Sequence, residues 1–260
     1  MLSMGALGGR AALVTGAARR LGRAIAAALA REGADVLVHY GNSAAEAEQT
    51  AAELRALGVR SWTLRADLGD PGQAEALWDQ ACARAGAIDI LVNSASAFPE
   101  DTLANFTAAG LEAAIRVNTL APVLLSRRFA AAGGRAGGGA GSEPLDRVIV
   151  NLLDSRAQGR LRAHFSYQAS KRLLGDFTRL LALELAPAVR VNAVAPGMIL
   201  PPEGLDPARQ ARLAATNLLG RWGKPEDVAR AVVFLAESDF ITGQVLFVDG
   251  GGAVKESLFG

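Results

Sequence analysis

Short runs of β-branched and apolar residues alternate with longer Ala/Leu-rich stretches of helical period from one end of the chain to the other. AALVT (11–15), DVLVHY (35–40), SWTLRAD (61–67), IDILVN (88–93), RVIVNLL (147–153), VRVNAVA (189–195) and QVLFVD (244–249) read as seven strands. Between the first two lies LGRAIAAALAREG, where Leu21, Ile25 and Leu29 repeat every four residues on one helix face and Gly33 is placed to end the helix. Ser43 and Glu46 form an S-x-x-E pattern expected to cap the next helix, and Asp70-Pro71 opens another. A long helical region is expected to about Ala132, with further helices across 165–186 and 225–237. Strand, helix, strand at this spacing means parallel crossovers and a sheet with helices on both faces. Residues 1–9 read as a flexible N-terminus and 10–260 as a single domain, with GGRAGGGAGSEP (133–144) as a flexible surface loop.

Composition narrows the classes. Half of the 260 residues are hydrophobic, enough for a sizeable core, and a formal charge of +1 makes no electrostatic case for nucleic acid or an anionic membrane. The single cysteine, Cys82, excludes an intrachain disulfide, fits a reducing compartment and reads as a small buried hydrophobe. The first ten residues lack the charge and apolar pattern of a signal peptide, and no uncharged apolar run approaches the roughly 18 residues of a membrane span. A soluble cytoplasmic protein is expected. The two histidines, His39 and His164, stand far apart with no ligand cluster, so no metal site is expected and both suit structural or surface roles.

Candidate chemistry gathers between Asp154 and Lys171. Tyr167 and Lys171 are four apart, on one face of the expected helix. An ammonium beside a phenol favours the phenolate, which predicts a Tyr167 pKa below its usual value of about 10. Asp154 ends the fifth strand, thirteen residues before Tyr167. The first strand leads into TGAARRLG (15–22), where Gly16 and Gly22 permit a close turn and the helix start behind them offers N–H groups to a phosphate. The same turn without a ligand is an ordinary tight strand-to-helix connection. The second strand ends His39-Tyr40-Gly41-Asn42-Ser43, without the carboxylate that would bond a ribose 2′-hydroxyl, while Arg19 and Arg20 sit in the turn. That arrangement predicts NADPH rather than NADH. The Pro-rich stretch 198–217 reads as a loop at the strand ends, with Leu200 and Leu205 as possible pocket liners.

Taken together, Thr15-Gly16…Gly22, Asp67-Leu68, Asn93-Ser94-Ala95, Asn118, Tyr167-x-x-x-Lys171, Asn192, Pro196-Gly197 and Asp249-Gly250-Gly251 resemble the short-chain dehydrogenase/reductase family over essentially the whole chain. Two departures narrow the resemblance: Arg20 stands where the family usually has its middle glycine, and Asp154 where it usually has a catalytic serine. With HY…S at the second strand end, SASAF (94–98) and LAPAVRVNAVAPGMIL (185–200), these look like the pteridine reductases. The resemblance implies a single-domain Rossmann-like, doubly wound parallel sheet of seven strands, an NADPH cofactor and a homotetramer. Residue by residue, it implies that the turn Gly16 to Gly22, including Leu21, and Tyr40, Asn42 and Ser43 meet the nucleotide. Asp67 and Leu68 would flank the adenine, Asn93, Ala95 and Ser96 would line the nucleotide, Lys171 would bond the ribose, and Pro196-Gly197 would meet the nicotinamide. Asn118 would hold the helix geometry or a relay water. Arg20, Ser96, Phe98, Asp154, Tyr167 and Leu200 would face the substrate, with Phe98 stacking a pterin ring.

Asp154 separates the possible reactions. A ketone reductase needs hydrogen-bond donors for developing oxyanion charge, whereas an ionised carboxylate only accepts. A C=N bond must gain a proton at nitrogen as hydride arrives at carbon, and a carboxyl relaying a proton through Tyr167 suits that demand. The expectation is reduction of a dihydropterin, possibly also dihydrofolate. Reduction of a ketone or 3-oxoacyl thioester on the same fold, and a non-catalytic NADP(H)-binding module, are the alternatives.

Overall fold

Strands apolar on both faces need cover on both, and the architecture supplies it. The computed structural model describes residues 5–133, 147–158, 163–201 and 204–259. β1 (Ala11–Val14), β2 (Asp35–Tyr40), β3 (Ser61–Arg65), β4 (Ile90–Asn93), β5 (Val148–Leu152), β6 (Arg190–Pro196) and β7 (Val245–Val248) form one sheet in the order β3-β2-β1-β4-β5-β6-β7. Every neighbouring pair is parallel. The expected seven-stranded, doubly wound Rossmann-like fold is therefore the observed one.

Successive strand residues point to opposite faces. Val14, Val36, Val38, Val92 and Val150 pack with side chains of α1 (Arg20–Arg31), α2 (Ala44–Ala56) and α8 (Pro225–Glu237). Leu13, Leu37, Leu91 and Ile149 pack with α3 (Pro71–Ala85), α5 (Ala121–Ala131) and α6 (Phe165–Leu185). Ile25 and Leu29 of the expected α1 stripe are fully buried, and Leu21 is half-buried. β1 pairs with β2 on one side and β4 on the other, so the chain reverses direction across the sheet there. In such sheets ligands bind outside the strand carboxyl ends at this crevice.

Several expected elements take a different form. Ser43 is at the N-cap of α2 but makes no capping bond; Glu46 instead pairs with Arg19 at 3.6 Å. Asp70 does cap α3, accepting from Gly72 and Gln73 N–H. The long helical region is α4 (Ala108–Ile115) joined to α5 by a π-type turn over Arg116–Leu120. Its 24 residues are long and apolar enough by composition to cross a membrane, yet Leu125 and Phe129 are fully buried in the domain's own core. Within 198–217 the chain forms α7 (Pro207–Ala214) rather than a continuous loop. The end of the chain adds α9 (Gly252–Phe259), which no periodicity had suggested. Residues 5–9, expected to be flexible, form a turn whose Leu7 is fully buried and whose N–H bonds Glu32. Past Gly133, the Gly-rich segment lies outside the described residues, as does Pro202.

Phe129 anchors the α3/α5 side of the core, edge-on to Trp78 at 5.6 Å and under the Arg147 guanidinium at 4.1 Å. Phe129→Ala is expected to cost about 3–5 kcal/mol of unfolding free energy, read from urea denaturation midpoints.

Candidate active site

The strand carboxyl ends frame a cleft of about 710 Å³. One end is the turn after β1. Thr15 Oγ accepts from the N–H groups of Ser94 and Ala95 at 2.9 and 3.0 Å, tying the β1 and β4 loops together. Gly22 lies so close to this turn that a Cβ there would stand 2.2 Å from the Gly16 carbonyl oxygen. Arg20 has φ of +51, the left-handed conformation that favours glycine. The glycine of the related pattern suits this conformation; Arg20 adopts it under strain, and the position gains a guanidinium at the cleft wall.

His39 braces the turn from beneath. The Gly16 N–H donates to Nδ1 at 3.1 Å, and Nε2 lies 3.1 Å from the Ala66 carbonyl, so the neutral tautomer with hydrogen on Nε2 satisfies both bonds. A protonated imidazole could not accept from Gly16. Burial pushes the His39 pKa from 6.5 to about 4, with the Ala66 bond opposing.

The opposite end holds Asp154, Tyr167 and Lys171, all buried. Tyr167 donates its hydroxyl to Asp154 Oδ2 at 2.9 Å. The Arg156 backbone N–H donates to Asp154 Oδ1 at 2.8 Å, and its guanidinium lies 3.3 Å from Oδ2. Lys171 Nζ donates to the Leu152 carbonyl at 2.7 Å and stands 5.9 Å from the Tyr167 ring centroid. Burial, the Asp154 charge and the hydrogen bond to it raise the Tyr167 pKa well above its ordinary value, and Arg156 offsets only part. The expected lowering by Lys171 is thus reversed: the carboxylate is bonded to the phenol, while the ammonium is engaged by backbone. Burial brings Lys171 down to about 8, with Asp154 opposing. Tyr167 is consequently a phenol, a proton donor aimed at a carboxylate.

Between these ends the cleft is lined by Gly16, Arg19, Arg20, Leu21 and Gly22 of the turn and by Tyr40, Asn42 and Ser43 after β2. Asp67, Leu68, Ala95 and Ser96, then Pro196, Gly197 and Leu200, complete the predicted set. Four predicted residues lie elsewhere, Leu205 among them, outside the cleft lining. Asn93 is buried below the cleft, donating its amide to Asn151. Asn118 is also buried, and its amide oxygen accepts from the Ala97 N–H at 2.7 Å while its nitrogen donates to Ala97 O and Ser170 Oγ. These bonds tie the β4 loop to α6 through the π-type turn. Phe98 is half-exposed, meets Tyr167 edge-on at 4.5 Å, and has one face stacked on His164 at 3.9 Å. Sequence reasoning missed Arg156, whose signal is only its place two residues after Asp154, and the bracing role of His39.

An extended trough, a glycine turn at a helix start and a buried phenol-carboxylate pair define a nucleotide-dependent oxidoreductase site. A family model described as enoyl-(acyl carrier protein) reductase matches residues 16–252. The chain belongs to the short-chain dehydrogenase/reductase family. The FolM alternative dihydrofolate reductase 1 from Brucella canis, solved with NADP, is 34% identical, covers 96% of each chain and superposes with a TM-score of 0.85. A blue fluorescent protein from a metagenomic library, solved with NADPH, is 34% identical over 95% of this chain and 99% of its own, with a TM-score of 0.84. Versicolorin reductase stcU from Emericella nidulans is 34% identical over 94% of this chain and 96% of its own.

The lowered His39 pKa carries a signed consequence. The unfolded chain takes up a proton that the folded one refuses, so this group's stability is complete above pH 6.5 and is lost as pH falls toward 4. The loss over that window amounts to about 3 kcal/mol. In His39→Gln, unfolding free energy measured by urea from pH 7 to 4 is expected to lose this part of its slope.

Proposed function

We propose that the protein is an NADPH-dependent reductase that converts a dihydropterin, or a closely similar C=N heterocycle such as dihydrofolate, to its tetrahydro form. The observation that carries this reading is the bond from Tyr167 to Asp154, a carboxylate where a hydroxyl donor would serve a ketone. A pterin edge rich in N–H groups matches such an acceptor, whereas a developing alkoxide is repelled by it. Similarity to the Brucella canis FolM protein supports the same substrate class.

The turn from Gly16 to Gly22 fits a pyrophosphate, with Arg20 beside it, and Arg19 would serve a 2′-phosphate only by exchanging its contact with Glu46. Asp67 and Leu68 would flank the adenine and Lys171 the ribose. The dinucleotide, when bound, supplies the hydride. This chain's residues do the rest. Asp154 Oδ2 orients the substrate edge by accepting an N–H, and Tyr167 delivers its proton to the ring nitrogen. A phenolate next to Asp154 is disfavoured, so the proton that Tyr167 gives to the ring nitrogen is replaced by one from water in the cleft that Tyr167 lines, with the Lys171 ammonium easing the transient charge. The π-type turn at Asn118 keeps the β4 loop from drifting away from α6 during this exchange.

Purified protein is expected to oxidise NADPH with dihydrobiopterin or dihydromonapterin faster than with acetoacetyl thioesters. Asp154→Ala should lower kcat with the pterin by about 10²-fold or more. A preference for ketones, or an Asp154→Ser variant that improves on the original, overturns the reading. We also infer a homotetramer, supported by Leu180 and Leu183, 53% and 77% exposed on the outer face of α6. Light scattering at the mass of four chains is the expected result.

A further inference from the structure

The helix that carries Tyr167 and Lys171 has no cap of its own. His164, at its N-cap, has φ of +65 and makes no side-chain capping bond. The first backbone N–H groups of a helix need acceptors, and a negative charge is favoured there. Both needs are met from 65 residues away. The Phe165 N–H donates to the Asp101 carbonyl at 3.0 Å, and the Ser166 N–H donates to Asp101 Oδ1 at 3.0 Å. The hydroxyl of Ser166, which is fully buried, donates to Asp101 Oδ2.

Asp101 belongs to the loop that leaves β4 and carries Ser96 and Phe98. Two more contacts join this loop to the same helix end. His164 Nδ1 donates to the Pro99 carbonyl at 2.7 Å, and the Phe98 ring is held between the His164 face and the Tyr167 edge. Residues 98–101 and 164–167 are thus fastened residue against residue, and Tyr167 directly follows the serine that Asp101 holds.

We propose that Asp101 is a positioning residue for the reaction: by capping α6 from the β4 loop, it makes that loop and the Tyr167 proton donor a single mechanical unit. Neither Asp101 nor Ser166 lines the cleft, so the effect reaches the chemistry only through Tyr167. Without the Asp101 side chain, the first turn of α6 loses two acceptors together with the charge that favours it, and keeps only the carbonyl bond to Phe165. The phenol then samples positions away from Asp154, and small misplacements of a catalytic group are costly. The kinetic consequence rests on reading Tyr167 as the proton donor to a pterin; the structural one does not.

Two measurements separate them. The chain has only two tyrosines, Tyr40 and Tyr167. Tyrosine labelled with 13C at the phenol carbon therefore gives one reporter at each end of the cleft. In Asp101→Ala the Tyr167 resonance should shift and broaden while that of Tyr40 stays in place. Asp101→Asn, which keeps an oxygen for the Ser166 N–H, should restore most of it. With a pterin, Asp101→Ala should lower kcat about tenfold with the KM for NADPH unchanged, and Asp101→Asn should recover activity. Should Asp101→Ala fail to fold, Ser166→Ala removes a single bond of the set and must move the Tyr167 resonance in the same direction. An unmoved Tyr167 resonance in the folded variants overturns the proposal. If the resonance moves while the original protein turns over no pterin, the substrate assignment fails and the positioning role stands.

Discussion

The buried amide of Asn118 joins three segments that the chain keeps far apart. Its oxygen and nitrogen both bond the Ala97 backbone, and the nitrogen also reaches Ser170, whose hydroxyl bonds the Tyr167 carbonyl. Such a group is costly to leave unpaired inside a protein, so any relative slip of the β4 loop, the π-type turn or α6 breaks bonds that water cannot replace. The extra residue of the π-type turn is what brings Asn118 to face both neighbours at once. Thr119 repeats the tie one residue on, through its hydroxyl to the Ser170 carbonyl.

Upon this frame the site arranges its charges in two opposed ways. At the chemical end, Asp154 collects the phenol of Tyr167 and the backbone and guanidinium of Arg156, while Lys171 is spent on the Leu152 carbonyl. Each charge has a partner, the condition for keeping ions in a buried site. At the nucleotide end the support is neutral: His39 serves the turn because it is uncharged, giving one hydrogen bond and taking another. Cations there sit at the rim instead, on Arg19 and Arg20.

Strands were legible in the sequence because a sheet covered on both sides demands unbroken apolar runs, and the glycine turn and Tyr167-x-x-x-Lys171 because they obey short spacings. What escaped was set by distance. Spacing places Lys171 beside Tyr167, but burial first, and then the bond to Asp154, raises the phenol pKa, and the packing that buries it is not written in local spacing. Ser43 and Glu46 have the capping pattern, yet Glu46 is drawn to Arg19 on the turn after β1. Asn93 has the right residue type for a nucleotide, but Asn151 on the neighbouring strand β5 claims its amide. The acceptors for the start of α6 lie on another loop altogether, and no local pattern could announce them.

Arg20 leaves a mark on how this chain can change. Its guanidinium at the cleft wall is held by a backbone conformation in which glycine is at ease and arginine is strained. Stability and the cofactor contact proposed for Arg20 would therefore pull this one position in opposite directions. Selection for heat resistance alone would drive it toward glycine, and under the proposed function the arginine would persist only while it serves the ligand. Among descendants of this chain, the residue at position 20 would record whether binding was still under selection.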